Sequence, residues 1–383
     1  MFGRYGSGGE PLPRVLHISI ARYVQRLPVP GEPLEYLVSL HEEGTGITWQ
    51  QNVTVGPETE RALLEATQDL HLWSLNLALT PKKARERAER LGNLLHETFL
   101  GAPGEEFLEA ITPTAVLLDV DETTLNLPWE LMIRPSGVLS QQTPFGRLVT
   151  TRLIPRRGRD PLDEDANVQI LAVGDPTADL GAASSEVNTL GEMEGNRGSY
   201  AIKLRVLSGR EATKGRFLAE IAENDYDILH FAGHASFDPA KPAVSALRFS
   251  DGEISADEVM VLPWKKAPPY LVFGSACESG RAAGGQRLVS DQRQSNGLVA
   301  AFLASGVAGY AGYFWPVSDT GAGLFARAFY EYLFRRENVG LAFLEARKHV
   351  SRELSDVGDL TGLGAILYGD AASKHRRDLA MAA

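Results

Sequence analysis

Two stretches of this sequence end an apolar run on a residue that can take part in nucleophilic chemistry. Residues 270–281 read YLVFGSACESGR and contain the only cysteine of the chain, Cys277. Residues 227–238 read DILHFAGHASFD and place His234 after a similar run. A thiol attacks as its thiolate, and an imidazole within reach can remove the proton. The pair therefore predicts a cysteine nucleophile with a histidine general base.

Both runs have the pattern of strands that are buried on two faces. Short apolar segments bounded by turn residues are typical of a parallel sheet. The two run ends lie 43 residues apart, which is enough for one crossover between neighbouring parallel strands. Chemistry in open α/β sheets occurs at the carboxyl ends of the strands. We therefore expect His234 and Cys277 to face each other across a crevice at that edge.

The rest of the chain supplies strands and helices in alternation. Residues 15–23 and 36–55 predict a strand and a hairpin, and helical patterns begin at Pro57 and Pro81 and end at the turn residues 101–104. Further predicted strands cover residues 114–120, 168–173, 204–207, 309–315 and 363–367; predicted helices cover 182–193, 214–224, 297–305, 320–336 and 339–354. Thr213 is a predicted helix cap, and Asp251-Gly252 is a hairpin turn signal. Such alternation indicates a parallel sheet with helices on both faces.

These blocks resemble the CHAT family of caspase-like cysteine peptidases. HFAGH, then SACESG, then GLVAAFLASGVAGYAGYFWPVSD occur in order, together with LPWELM at residues 127–132, GDPTADL from Gly174 and LEARKHV at residues 344–350. Several blocks in order are far more specific than one motif. The resemblance implies a caspase-like α/β/α sandwich around a mostly parallel sheet of about six strands, with a smaller α+β N-terminal part. It also implies a cysteine-type endopeptidase that needs no cofactor.

The resemblance extends to further site residues. The tetrahedral oxyanion of acyl transfer needs backbone N–H donors, and those of Cys277 and Ala235 are expected, although relatives often have glycine at the second position. By analogy with related peptidases, the substrate-binding candidates are Asp175, Ser275, Trp315 and Asp319. Ser275 stands where relatives specific for basic residues place an acid. An arginine preference is therefore not indicated.

Other polar residues near the two run ends have open roles. Ser236, Asp238 and Glu278 are each candidates to orient His234. His230 lies four residues before His234, and we interpret it as a packed histidine of the strand. Residues 281–296 are almost free of apolar side chains and predict a mobile loop that gates the site.

Organisation and partners follow from the same resemblance. We expect an N-terminal accessory region at residues 1–110, the peptidase domain at 111–372 and a polar tail at 373–383. Family members imply a prokaryotic defence or stress role, with a dedicated protein substrate and an activating protein or signal. The first 110 residues show no repeat of about 30 to 40 residues, so they do not identify the activator.

Composition excludes several classes of protein. The net charge of −11 argues against direct nucleic-acid binding, which requires clustered Lys and Arg. No run of about 18 apolar residues indicates a membrane span, and no apolar stretch near the start indicates a signal peptide, so a cytoplasmic location is expected. One cysteine permits no internal disulfide and no cysteine-rich zinc site.

Two alternatives come from different functional classes. Asp119 and Asp121 in DVDET, followed by GDPTAD from Gly174, mimic the two acidic motifs of haloacid-dehalogenase-type phosphatases. Such an enzyme would use an aspartyl nucleophile and Mg²⁺ held by carboxylates. A caspase-like scaffold without activity is the other alternative.

A metal-independent mechanism is testable with a chelator. No His or Cys cluster has the spacing of a metal site, so EDTA should leave peptidase activity unchanged. Calcium held by Asp-rich loops, as in some related enzymes, is the competing possibility. A large loss of cleavage in EDTA that added Ca²⁺ reverses would contradict the metal-independent mechanism.

Overall fold

The computed structural model describes residues 13–23, 31–76, 81–121, 124–150, 153–160, 166–197, 200–236, 244–276, 297–335 and 338–373. The strands in these ranges are β1 (Val15–Arg22), β2 (Leu34–Glu42), β3 (Thr48–Val55), β4 (Ala115–Val120), β5 (Ile133–Arg134), β6 (Gly137–Val138), β7 (Phe145–Val149), β8 (Val168–Gly174), β9 (Gly195–Arg197), β10 (Tyr200–Ser208), β11 (Ile228–Ala232), β12 (Ala235–Ser236), β13 (Ala246–Phe249), β14 (Gly252–Ser255), β15 (Leu271–Ser275), β16 (Gly309–Tyr313) and β17 (Ala365–Gly369). The helices are α1 (Pro57–Asn76), α2 (Pro81–Phe99), α3 (Gly101–Ile111), α4 (Leu139–Gln142), α5 (Gly181–Gly191), α6 (Lys214–Glu223), α7 (Ala256–Val259), α8 (Leu298–Ser305), α9 (Asp319–Leu333), α10 (Val339–Glu353) and α11 (Thr361–Gly364).

One large sheet runs through the described structure. Its 12 strands lie in the order β3-β2-β1-β4-β7-β17-β16-β15-β11-β8-β10-β9. Strands β1, β4, β7 and β17 are parallel to one another, and so are β16, β15, β11, β8 and β10. The two parallel blocks meet at β16 and β17, which are antiparallel. The carboxyl ends of one block therefore lie at the opposite edge of the sheet from those of the other.

Helices cover both faces of the sheet. On one face the core includes Leu63 of α1, Leu91 of α2, Phe217 of α6 and Phe302 of α8. On the other face it includes Val187 of α5, Phe329 of α9 and Phe343 of α10. Each helix buries its apolar stripe against alternate strand residues, as amphipathic helices do. The predicted α/β fold with a mostly parallel sheet and flanking helices is confirmed.

The number of strands differs from the prediction of about six. Strands β1 to β3 of the N-terminal part do not form a sheet of their own; β1 pairs with β4 in parallel, with Val15 opposite Ala115. The hydrophobic pattern showed that these strands exist but carried no information about their neighbours. The sheet continues across residue 110, and the division into domains there stays a prediction.

Most of the predicted helix caps and turns are confirmed, with one correction. Thr213 caps α6 by accepting the N–H of Arg216 at 3.1 Å, and Asp251-Gly252 turns the β13–β14 hairpin, which forms a separate three-stranded sheet with β12. Residues 101–104 do not simply end a helix. Gly101 has a left-handed φ of 59°, and the next helix, α3, begins there. Pro103 fits that helix because the first helical turn needs no N–H from it.

A buried ion pair joins β7 to the LPWELM segment that follows β4. Arg147 of β7 donates through Nε to Glu130 at 2.9 Å and through Nη2 to the other carboxylate oxygen, and its Nη1 donates to the Leu125 carbonyl at 2.9 Å. The Arg147 side chain is fully buried. Burial by itself would lower the pKa of Arg147, but the charge and hydrogen bonds of Glu130 together with the contact of Tyr368 outweigh it, and the pKa lies above its usual value. Glu130 comes from the LPWELM block, so this block has a structural role.

Removing the Glu130 charge should destabilise the fold strongly. Glu130→Gln leaves the Arg147 charge buried without a counter-ion, so the free energy of unfolding in urea should fall by about 3 kcal/mol. Glu211→Gln is the control, because Glu211 forms an exposed pair with Arg216 at 2.8 Å and should cost less than about 1 kcal/mol. Equal losses in the two variants would refute the structural role of Glu130.

Candidate active site

Four neighbouring strands end at one edge of the sheet. In β8, β11 and β15 the residues Gly174, Ala232 and Ser275 lie in one row of the register, and β16 runs parallel beside β15. The backbone pairing continues past this row, since Gly233 donates its N–H to the Ser275 carbonyl at 3.2 Å. This edge therefore carries the segments on which the sequence predicted chemistry.

His234 is held in place through its backbone and its side chain. Its carbonyl accepts the N–H of Arg248 at 3.0 Å, and the next residue, Ala235, lies opposite Leu247 in the small sheet. The imidazole is 37% exposed, and its Nε2 lies 3.1 and 3.2 Å from the two carboxylate oxygens of Asp179. His234 thus presents a partly open imidazole at the edge of the sheet, oriented by an acid.

Several of the predicted site residues lie beyond the described part of the chain. Cys277 lies outside the described residues, as does the predicted loop 281–296. Asp238 and Glu278, two of the candidates for orienting His234, also lie outside them. The described chain of β15 ends at Ala276, one peptide bond before Cys277.

Asp175 is occupied by the turn that follows β8. It is buried, and its carboxylate accepts the N–H groups of Asp179 at 3.0 Å and Leu180 at 2.9 Å and the hydroxyl of Ser184 at 3.2 Å. It also adopts a left-handed φ of 46°, which is uncommon for a residue other than glycine. In this structure Asp175 orders the turn and offers no free charge at the edge.

Ser275 is part of a buried polar cluster beneath the edge. Its hydroxyl donates to Glu186 of α5 at 2.8 Å. The other oxygen of Glu186 lies 3.1 Å from Nε2 of His230, without the alignment of a hydrogen bond, and Tyr330 lies 3.2 Å from Nδ1 of the same ring. His230 is fully buried and stacks on Phe273. The interpretation of His230 as a packed histidine is confirmed.

The tyrosine of this cluster stays uncharged at ordinary pH. Burial raises the pKa of Tyr330 well above its usual value, and the Glu186 carboxylate adds to the shift. A neutral Tyr330 can donate its hydroxyl proton to Nδ1 of His230, which leaves the ring hydrogen on Nε2, facing Glu186. Ser275 and Tyr330 thus have hydrogen-bond partners in this cluster, whereas Nε2 of His230 and the second oxygen of Glu186 are in close contact without an aligned hydrogen bond.

The other two substrate-binding candidates follow β16. Trp315 is buried and lines a cavity of about 360 Å³ together with Val317, Leu354, Asp359 and Leu360. Asp319 begins α9 and is exposed, and Ser318 caps the helix by accepting the N–H of Gly321 at 3.0 Å. Of the four predicted substrate-binding residues, Asp319 is the one with an exposed charge.

The geometry contradicts the phosphatase alternative. Asp119 lies near the carboxyl end of β4, and Asp175 follows β8. These strands belong to oppositely directed blocks, so the two acids are at opposite edges of the sheet. They are also six strand positions apart, or about 29 Å at 4.8 Å per position. The two motifs cannot hold one Mg²⁺.

The described part of the chain offers no metal or membrane element. No group of three or more His, Cys, Asp or Glu side chains in it could hold a metal ion. Among the described helices, none is long and apolar enough to cross a membrane.

Sequence reasoning missed the two acids that contact the histidines. Glu186 lies next to Val187 and three residues after Ala183 in α5, so helical spacing puts this acid on the buried stripe. That spacing was a usable signal. Asp179 belongs to the phosphatase-like motif GDPTAD, and nothing in its local sequence connects it with His234.

Comparisons with known proteins agree with this architecture. A family model described as CHAT domain matches residues 88–377. Two crystal structures of the Saccharomyces cerevisiae separase–securin complex, at 3.0 and 2.6 Å, are similar with TM-scores of 0.58 and 0.56, at 11% and 12% identity. Each alignment covers 93% of this chain but only 30% of the separase-complex chain. No curated protein matches the chain in sequence.

The buried cluster should contribute measurably to stability. Glu186→Ala leaves the buried Ser275 hydroxyl without its acceptor and removes the carboxylate beside Nε2 of His230, so the free energy of unfolding should fall by about 2 kcal/mol or more. Glu192→Ala, at the exposed end of the same helix, should change it by no more than about 0.5 kcal/mol. If the two variants unfold at the same urea concentration, the cluster does not stabilise the edge.

Proposed function

This chain belongs to the CHAT domain family, and from that premise we propose that it is a cysteine-type endopeptidase that cleaves a dedicated protein substrate through a dyad of His234 and Cys277. One observation carries the proposal. The imidazole of His234 is partly exposed at the edge of the sheet where β11 and β15 have their carboxyl ends, and β15 is the strand that precedes Cys277 in the sequence. Fold similarity to separase supports a caspase-like peptidase fold and by itself says nothing of activity.

The strand register supports the pairing of the two residues. Ala232 and Ser275 are partners in adjacent parallel strands. His234 follows Ala232 by two positions in the sequence, and Cys277 follows Ser275 by two positions. The register is thus consistent with a thiol and an imidazole side by side at one edge, as nucleophilic catalysis requires.

These two side chains and one water molecule are sufficient to hydrolyse a peptide bond. The Cys277 thiol gives its proton to His234, and the thiolate sulfur forms a bond to the scissile carbonyl carbon. Collapse of the tetrahedral intermediate breaks the C–N bond, and the leaving amine takes the proton from His234. Water then gives a proton to His234 as its oxygen attacks the thioester, and the C–S bond breaks to regenerate the thiol. The backbone N–H groups of Cys277 and Ala235 are the proposed donors to the oxyanion.

Substrate recognition is proposed at the ends of β8, β15 and β16. Asp175 and Ser275 already bond to residues of their own chain, so they are best suited to shape the pocket wall. Trp315 and the cavity beside it fit an apolar side chain, and Asp319 is exposed to meet a positive one. Together these residues would select a peptide by both shape and charge.

The biological role is proposed from the family resemblance and from the composition. Family resemblance implies prokaryotic defence or stress response in the cytoplasm, with a partner or signal that activates the peptidase. The similar separase structures are of complexes with securin, which supports a protein partner here as well. The net charge of −11 supports a protein ligand over nucleic acid.

Loss of either dyad residue should abolish cleavage. Cys277→Ala and His234→Ala should each remove it, and the double variant should lose no more than the single ones, because neither residue acts without the other. The measurement is proteomic identification of new protein termini in cells that express the active chain or Cys277→Ala.

The control is His349→Ala, a variant of a half-buried histidine on α10, which should cleave normally. Cleavage that persists in Cys277→Ala would refute the dyad. Termini that do not differ between the active chain and Cys277→Ala, even with candidate activators present, would favour an inactive scaffold.

A further inference from the structure

We propose that Asp179 is the positioning residue of His234, which holds the ring hydrogen on Nε2 so that Nδ1 takes the proton of the Cys277 thiol. This inference rests on the proposed function and deepens it, since it names the acid and the atom that make His234 a base.

The contact itself determines which nitrogen carries hydrogen. Nε2 of His234 lies within 3.1 and 3.2 Å of the two carboxylate oxygens of Asp179. An ionised carboxylate can only accept hydrogen bonds, so Nε2 must be the donor. In a neutral imidazole the other nitrogen is then an acceptor. Nδ1 of His234 is then the ring nitrogen that can accept a proton from a thiol.

The Asp179 carboxyl group is suited to this role because it stays ionised. The Thr177 hydroxyl donates to it and lowers its pKa below the usual value, and the contact with His234 lowers the pKa further. The carboxylate therefore keeps its acceptor character at neutral pH. It would also stabilise the imidazolium that forms when the thiol loses its proton.

The turn that carries Asp179 is fastened to the strand that carries His234. Asp175 donates its N–H to the Ala232 carbonyl at 2.8 Å, and its carboxylate accepts the N–H of Asp179 at 3.0 Å. A side chain at Gly233 would put Cβ 3.0 Å from Pro176, so glycine lets the turn lie close to the strand. Asp179 and His234 are therefore held by the same set of backbone contacts between the turn after β8 and the end of β11.

Two residues of this turn have an unfavourable backbone conformation. Asp175 and Ala178 have φ values of 46° and 59°, in the left-handed region that is unfavourable for residues other than glycine. Such conformations persist only where surrounding contacts enforce them. Here the hydrogen bonds of Asp175 hold the turn in the conformation that places Asp179 beside His234.

The first test is the tautomer of His234, read from ring ¹⁵N shifts in Cys277→Ala protein at about pH 9, where imidazoles are ordinarily neutral. His234→Ala in the same background assigns the signal. We expect the form with hydrogen on Nε2 to dominate, and Asp179→Asn to give a mixture of both forms. Because this test uses no substrate, it holds even if the peptidase function fails.

The second test is the rate at which iodoacetamide alkylates Cys277, followed by intact mass, which reports one site because the chain has one cysteine. Asp179→Asn should slow alkylation about tenfold, since the imidazole loses its fixed orientation. Asp179→Glu keeps the charge and should recover part of the rate. Glu192→Gln removes an equal charge from the exposed far end of α5 and should leave the rate unchanged.

Three results would overturn the inference. Identical tautomer populations in the parent protein and in Asp179→Asn would show that the acid does not position the ring. Faster alkylation in Asp179→Asn would mean that Asp179 restrains His234 instead of preparing it. An unchanged alkylation rate would likewise reject the role in activating the thiol. Cleavage that is independent of Cys277 would be a failure of the proposed function alone.

Discussion

The buried pair of Glu130 and Arg147 lies beside the boundary between the two parallel blocks of the sheet. Arg147 lies on β7, and its guanidinium sits 5.7 Å from the ring centre of Tyr368 on β17 and 5.8 Å from that of Phe314 just after β16. One charge therefore contacts three neighbouring segments at the boundary between the blocks. Removing such a charge from water is costly, so the pair is stable only when all of its partners are in place. The contacts of Arg147 with Tyr368 and Phe314 therefore favour the observed neighbours β7, β17 and β16.

A second buried arginine extends the same arrangement. Arg347 of α10 donates to the carbonyls of Ala365 at 2.7 Å and Ser140 at 3.2 Å. Burial lowers the pKa of Arg347 to about 10, which leaves it charged at neutral pH. Arg347 belongs to the LEARKHV block and Glu130 to the LPWELM block. These two motifs hold the end of β16 and the start of β17 in position, and β16 bounds the candidate site.

Two histidines of one segment differ in burial at the edge of the sheet. His230 lies within β11, buried against Phe273 and Glu186, whereas His234 follows the end of the strand and is partly open. The chain leaves the sheet at Gly233, so four residues separate a structural imidazole from one that can meet a ligand. The acids that face them, Glu186 and Asp179, come from the helix and the turn that follow β8. One βα unit thus supports both the core and the reactive side of the edge.

Local sequence determined the elements and the candidate residues, whereas the tertiary structure decided their neighbours. Alternation, caps and turn signals placed β1 to β3, the Thr213 cap and the β13–β14 hairpin, because each depends on residues close together in the chain. The same patterns did not show that β1 pairs with β4, that the blocks run in opposite directions, or that the DVDET and GDPTAD motifs lie at opposite edges. Contacts such as Ser275 with Glu186 and His234 with Asp179 join residues 89 and 55 positions apart. These contacts form only when particular strands become adjacent. Strand order depends on burial and on buried-charge pairing over the whole sheet, and the local periodicity of the sequence contains no information about either.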